Sequence, residues 1–122
     1  MRDHPYQHID PLVLYQAAAA DLDAFRDLSN TYLEIAPPML DRLEQAALAG
    51  DCAAAAYESH SLKGTTSLVG ATHLTDMLKE IEVLARRNEI GGVALYVPEL
   101  KRLFSAVTLE VQESIAHFHG EA

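Results

Sequence analysis

The chain reads as all-α, an antiparallel four-helix bundle with a short additional N-terminal helix. Apolar residues recur at spacings of three and four along most of its length. No segment alternates with the period of two that a half-buried strand needs, and capping residues and glycines cut the sequence into helix-length pieces. Helices that each carry one apolar stripe bury those stripes against one another. The 122 residues fit one domain, with a core over about 10–118, and bury roughly two-thirds of the unfolded surface without a metal or disulfide. Apart from the alanine runs Ala17–Ala20 and Ala53–Ala56 there is no low-complexity segment, and no internal repeat.

Asp10 followed by Pro11 starts the first helix, which runs to about Ala19. Asp21 caps the second, where Phe25, Leu28, Tyr32, Ile35, Met39 and Leu43 form one stripe that crosses Pro37-Pro38 in phase. That predicts one long kinked helix or two nearly collinear ones. Gly50 closes it, and Asp51 opens a third helix that ends near Gly70. Thr72 caps a fourth, with Leu74, Met77, Leu78, Ile81, Leu84 and Ala85 on its buried side and Asn88–Gly92 as its end. The last helix begins between Val93 and Pro98 and carries Leu100, Leu103, Phe104, Val107, Val111, Ile115 and Phe118.

Nine basic against eighteen acidic residues give a formal charge of -9, which disfavours nucleic acid and anionic membrane as partners. The excess is uneven. Residues 1–58 hold ten acids and three bases, while residues 59–122 hold eight and six, so phosphate is better tolerated in the second part. Cys52 is the single cysteine, which excludes an internal disulfide. With no apolar signal-peptide core or membrane-length run, a cytoplasmic location is expected.

Chemistry concentrates in His60-Ser61-Leu62-Lys63-Gly64. A glycine inside a helix costs roughly 1 kcal/mol relative to alanine, so Gly64 beside His60 and Lys63 suggests that bulk is excluded there. At about 100° per residue, Leu62 and Val69 fall roughly opposite His60, while Ala53, Ala56, Tyr57, Lys63, Gly64 and Ser67 share its side. With Leu62 and Val69 in the core, His60 faces outward on a low strip of mostly small residues.

Together with Gly70-Ala71 ten residues on, and with Glu82 and Arg86 at matching offsets on the next helix, this stretch resembles the histidine-containing phosphotransfer (HPt) domains of bacterial and fungal phosphorelays. The resemblance spans nearly the whole chain. It implies that His60 accepts a phosphoryl group from the aspartate of a receiver domain and passes it to the receiver of a response regulator. It implies further that Glu82 accepts a hydrogen bond from Nδ1–H of His60, leaving Nε2 as the phosphorylated atom. Lys63 then pairs with phosphate oxygens, with Thr65 and Ser67 as weaker donors, and Ala56, Tyr57, Gly64 and Ser67 meet the partner. No cofactor is expected on this chain, since Mg²⁺ belongs to the receiver. A hybrid histidine kinase is the expected donor system, and the chain is expected to act as a monomer.

Neutral imidazole suits this chemistry, because it is nucleophilic near neutral pH without activation. As an i, i+4 pair on one helix, Glu82 and Arg86 equally suit an exposed ion pair, and Arg86 reads as structural. His117-x-His119 lacks further ligands for zinc, Gly64-Thr65-Thr66 lacks the strand and ending of a phosphate loop, and Ser59-His60-Ser61 is no hydrolase triad. Two other readings remain. One is a helical adaptor that binds a receiver without turning phosphate over, against which the presence of both His60 and Lys63 argues. The other is the detached terminal module of a hybrid sensor kinase; the initial methionine and the lack of an evident linker favour a free-standing protein. No ATP-binding kinase core fits this length, so the chain is read as a phosphocarrier and not a kinase.

Overall fold

The computed structural model describes residues 6–121, with side chains through residue 117. Five helices follow in order: α1 Pro11–Ala17, α2 Leu22–Ala49, α3 Cys52–Leu68, α4 Thr72–Arg86 and α5 Ile90–Glu121. No strand occurs among the described residues. Helices α2 to α5 form the bundle in cyclic order, each packed on the next and α5 on α2, while α1 lies against α2 and α3.

The predicted starts hold where an aspartate stands before the helix. Asp10, Asp21 and Asp51 each cap through a side-chain oxygen that accepts a backbone N–H, from Leu12, Ala24 and Ala54. Helix α2 is continuous through Pro37 and Pro38 and ends at Gly50, whose φ of 70° is left-handed. Thr72 does not cap α4. Ala71 takes that place without a side-chain bond, and Thr72 is the first helical residue.

Helix α5 begins at Ile90, ahead of the predicted window, and carries Gly91, Gly92 and Pro98 inside it. Asn88, at φ 60°, supplies the left-handed turn after α4 that the glycines suggested. Gly92 instead serves close packing, since a Cβ there would lie 3.1 Å from Leu84 Cδ1. In α5, Leu100, Leu103, Phe104, Val107 and Val111 are buried and Ile115 is partly so. The side chain of Phe118 lies outside the described residues, as does that of His119.

The core of α2 departs from the predicted stripe. Phe25, Tyr32 and Leu43 are buried, but Ser29, Ala36 and Leu40 complete the line, while Leu28 and Ile35 are exposed. Small residues take the inner positions because α2 packs tightly on two neighbours, α3 and α5. Leu28 and Ile35 remain on the surface.

Candidate functional site

Helix α3 owes its stability to the Asp51 cap and to Ala53–Ala56, which are strong helix formers. Its hydroxyls turn back on their own helix: Ser59 donates to the Ala56 carbonyl, Thr65 to Ser61, Thr66 to Lys63 and Ser67 to Gly64. Thus satisfied, Ser59 and Thr66 are fully buried, and Thr66 also pairs with Thr75 of α4 at 2.8 Å. The buried face of α3 is therefore rotated about 60° from the one that Leu62 and Val69 alone define.

This rotation corrects one predicted partner-binding residue. Ala56 is only 8% exposed and belongs to the core. Tyr57, Gly64 and Ser67 are exposed, as expected, with Tyr57 at 69%. Nothing in the protein lies within 4 Å of a Cβ built on Gly64, so no internal packing requires glycine there. Thr65 faces α2, where it contacts Met39 Sδ, on the side of α3 away from α4.

The same rotation carries Lys63 toward α4 beside His60, and both meet Glu82. His60 Nδ1 lies 3.1 Å from Glu82 Oε2, and Lys63 Nζ donates to Oε1 at 3.0 Å. Arg86, one turn further along α4, donates to the same Oε2 from Nε at 3.0 Å and from Nη2 at 2.7 Å. The sequence marked Arg86 by its offset in the family pattern and as an i, i+4 neighbour of Glu82, a spacing common to any exposed ion pair, and it read as structural. The Glu82 side chain is 10% exposed, against 62% for His60.

Burial by itself raises the Glu82 carboxyl, but the hydrogen bonds from Lys63, Arg86 and His60 together outweigh it and bring it down to about 2. Near neutral pH the group is a carboxylate, which accepts and cannot donate. His60 Nδ1 must therefore carry the hydrogen that joins them, so the lone pair of a neutral ring resides on Nε2. Lys63, Arg86 and Glu82 sum to one positive charge beside that nitrogen. The arrangement offers a fixed nucleophile in a setting that favours an anion. Among the described residues, no three His, Cys, Asp or Glu side chains gather to hold a metal ion.

Exposed apolar residues lie along the α2 side of α3. Arg42 meets Glu58, and Met39 meets Thr65, an antiparallel register that brings Ile35 level with Leu68. Ile35 and Leu68 are 46% and 53% exposed. The sequence placed Ile35 in the core stripe, because periodicity alone does not distinguish the inner edge of such a stripe from its outer edge.

A bundle that projects an imidazole whose Nδ1–H donates to a nearly buried carboxylate is the architecture of a histidine phosphotransfer module. The family model described as Hpt domain matches residues 27–116, and the chain belongs to that family. It is similar to the crystal structure of histidine-containing phosphotransfer protein B (HptB) from Pseudomonas aeruginosa PAO1, with 29% identity and a TM-score of 0.83 over 94% of this chain and 98% of that one. No curated protein matches the chain.

Proposed function

We propose that the protein is a phosphocarrier without kinase activity, which accepts a phosphoryl group on Nε2 of His60 from the aspartyl phosphate of a receiver domain and passes it to the aspartate of a second receiver. The observation that carries this reading is the Glu82–His60 contact, which holds the ring proton on the inner nitrogen and leaves the outer one reactive. The Nε2 lone pair attacks phosphorus, an N–P bond forms, and the P–O bond to the aspartate breaks as its carboxylate leaves. The proton stays on Nδ1, where Glu82 stabilises the positive ring beside the phosphoryl anion. In the second transfer the accepting carboxylate attacks phosphorus and the N–P electrons return to Nε2.

Such transfer depends on alignment and charge stabilisation more than on covalent work by the protein. The receiver contributes its aspartate and Mg²⁺, and this chain contributes the imidazole and the ammonium of Lys63. Lys63 is tied to Glu82 before transfer, so pairing with phosphate means exchanging one anion for another. Tyr57, Gly64 and Ser67 share the exposed face of α3 with His60 as the docking face, low at Gly64, and exposed Ile35 and Leu68 extend it toward the C-terminal end of α3. A hybrid histidine kinase supplies the first receiver.

A two-stage assay tests the relay. The protein is labelled by a phosphorylated receiver, separated from it, and mixed with a second, unphosphorylated receiver. Label should leave the protein and appear on the second receiver as aspartyl phosphate. An adaptor would bind the first receiver and take up no acid-labile label.

A further inference from the structure

We infer that Arg86 is a positioning residue for His60, and that it acts through the one carboxylate oxygen the two side chains share. Both N–H groups of Arg86 that reach Glu82 end on Oε2, the oxygen that also accepts from His60 Nδ1. Lys63 holds the other oxygen. Two cations thus fix the carboxylate at both ends, and the one on Oε2 determines where the imidazole proton finds its acceptor. The planar guanidinium is suited to this, because its donors form a rigid fork while an ammonium is a mobile point.

A purely structural role accounts poorly for the geometry. The Arg86 side chain is 61% exposed, so it fills no core space. A cation in the last turn of α4 gains from the helix dipole, but that gain does not require two bonds to Oε2. Without Arg86 the carboxylate is held by one flexible lysine, and the ring is freer to carry its proton on Nε2, where it blocks attack.

This inference rests on the phosphocarrier reading for its effect on transfer, but its primary test does not. Protein with ¹⁵N-labelled histidine, unphosphorylated and at about pH 9 so that imidazole is neutral, reports by NMR which His60 nitrogen carries hydrogen. Wild type should show the Nδ1–H form. Arg86→Ala should move His60 toward the Nε2–H form and slow transfer about three- to tenfold, the size expected for one lost hydrogen bond. Melting should fall only modestly, because the Glu82 carboxylate keeps Lys63 and His60 and the guanidinium itself is exposed. Arg86→Lys should recover part of both the signal and the rate. Wild-type His60 signals in Arg86→Ala would overturn the inference. Because the tautomer is read without phosphate, a chain that took up no label would sink the phosphocarrier reading while this comparison still decided the role of Arg86.

Discussion

His60 Nδ1 and Glu82 Oε2 stand 3.1 Å apart across the seam between α3 and α4, one side chain largely in solvent and the other nearly buried. The contact anchors one ring nitrogen inside the protein and leaves the other outside. It also gives a single acid three partners, which links stability to the site.

The first expected outcome concerns acid. The Glu82 carboxyl lies at about 2 in the folded protein against 4.5 for a free side chain. A lowered carboxyl stabilises the fold above the free value, and that contribution is lost as pH falls through the folded one. With the His60 and Arg86 heads largely in solvent, screening leaves a contribution of about 1 to 2 kcal/mol. Denaturant titrations from pH 6 down to pH 2 should show wild type losing stability below about pH 4.5 more steeply than Glu82→Gln. Parallel curves would mean that Lys63, Arg86 and His60 do not stabilise the ionised form.

Lys63→Ala removes a cation beside His60 and one of the bonds that hold Glu82. Phosphotransfer should slow about tenfold at low salt, in line with loss of a charge-assisted hydrogen bond. The deficit should narrow as salt is added, because screening weakens the same interaction in wild type. An unchanged rate at low salt would make Lys63 a bystander.

Gly64 separates stability from docking. No protein atom lies near its built Cβ, and alanine is the better helix former, so Gly64→Ala should melt at or above the wild-type temperature, by up to about 1 kcal/mol. Transfer should nevertheless fall. Gly64→Gln, whose longer side chain projects over the docking face, should stay folded and lose most receiver binding. Unimpaired transfer by folded Gly64→Gln would show that the partner reaches His60 from another direction.

Gly70 should respond in the opposite sense. Its φ of 71° is left-handed, and a Cβ there would stand 2.6 Å from the Asp10 carbonyl oxygen and 2.8 Å from the Asp10 nitrogen. The strain and the backbone clash together should cost Gly70→Ala about 2 kcal/mol or more in thermal or denaturant unfolding. Wild-type stability in this variant would mean that the segment before α1 yields easily, despite the three backbone N–H groups of Gln7, His8 and Ile9 that bind Glu110.

The contrast between these two glycines shows what sequence pattern carries. Aspartate caps, the helix period and the left-handed Gly50 and Gly70 are local signals, and the elements they predict are the ones observed. The helices followed from caps and periodicity, whereas the pairing of His60 with Glu82 followed from the family pattern. Illegible was the rotation of α2 and α3 about their own axes, whereas the buried faces of α4 and α5 are those predicted. Ser29, Ser59 and Thr66 look polar in sequence, yet they occupy the core, the latter two with hydroxyls bonded to their own helix. Aliphatic periodicity therefore misplaced Ile35 and Ala56, the first into the core and the second out of it. Arg86 read as structural for a related reason, since helix spacing shows that it reaches Glu82 but not which oxygen it takes.

The most direct test of the central claim is uptake of acid-labile phosphate from a phosphorylated receiver, compared between wild type and His60→Gln. His60 is 62% exposed in its side chain, so glutamine there should leave the fold intact, and matched melting curves check that both proteins are native. Wild type should be labelled on a single histidine, located by fragmentation to His60, and His60→Gln should take up nothing. Histidine-bound label on folded His60→Gln would contradict the account.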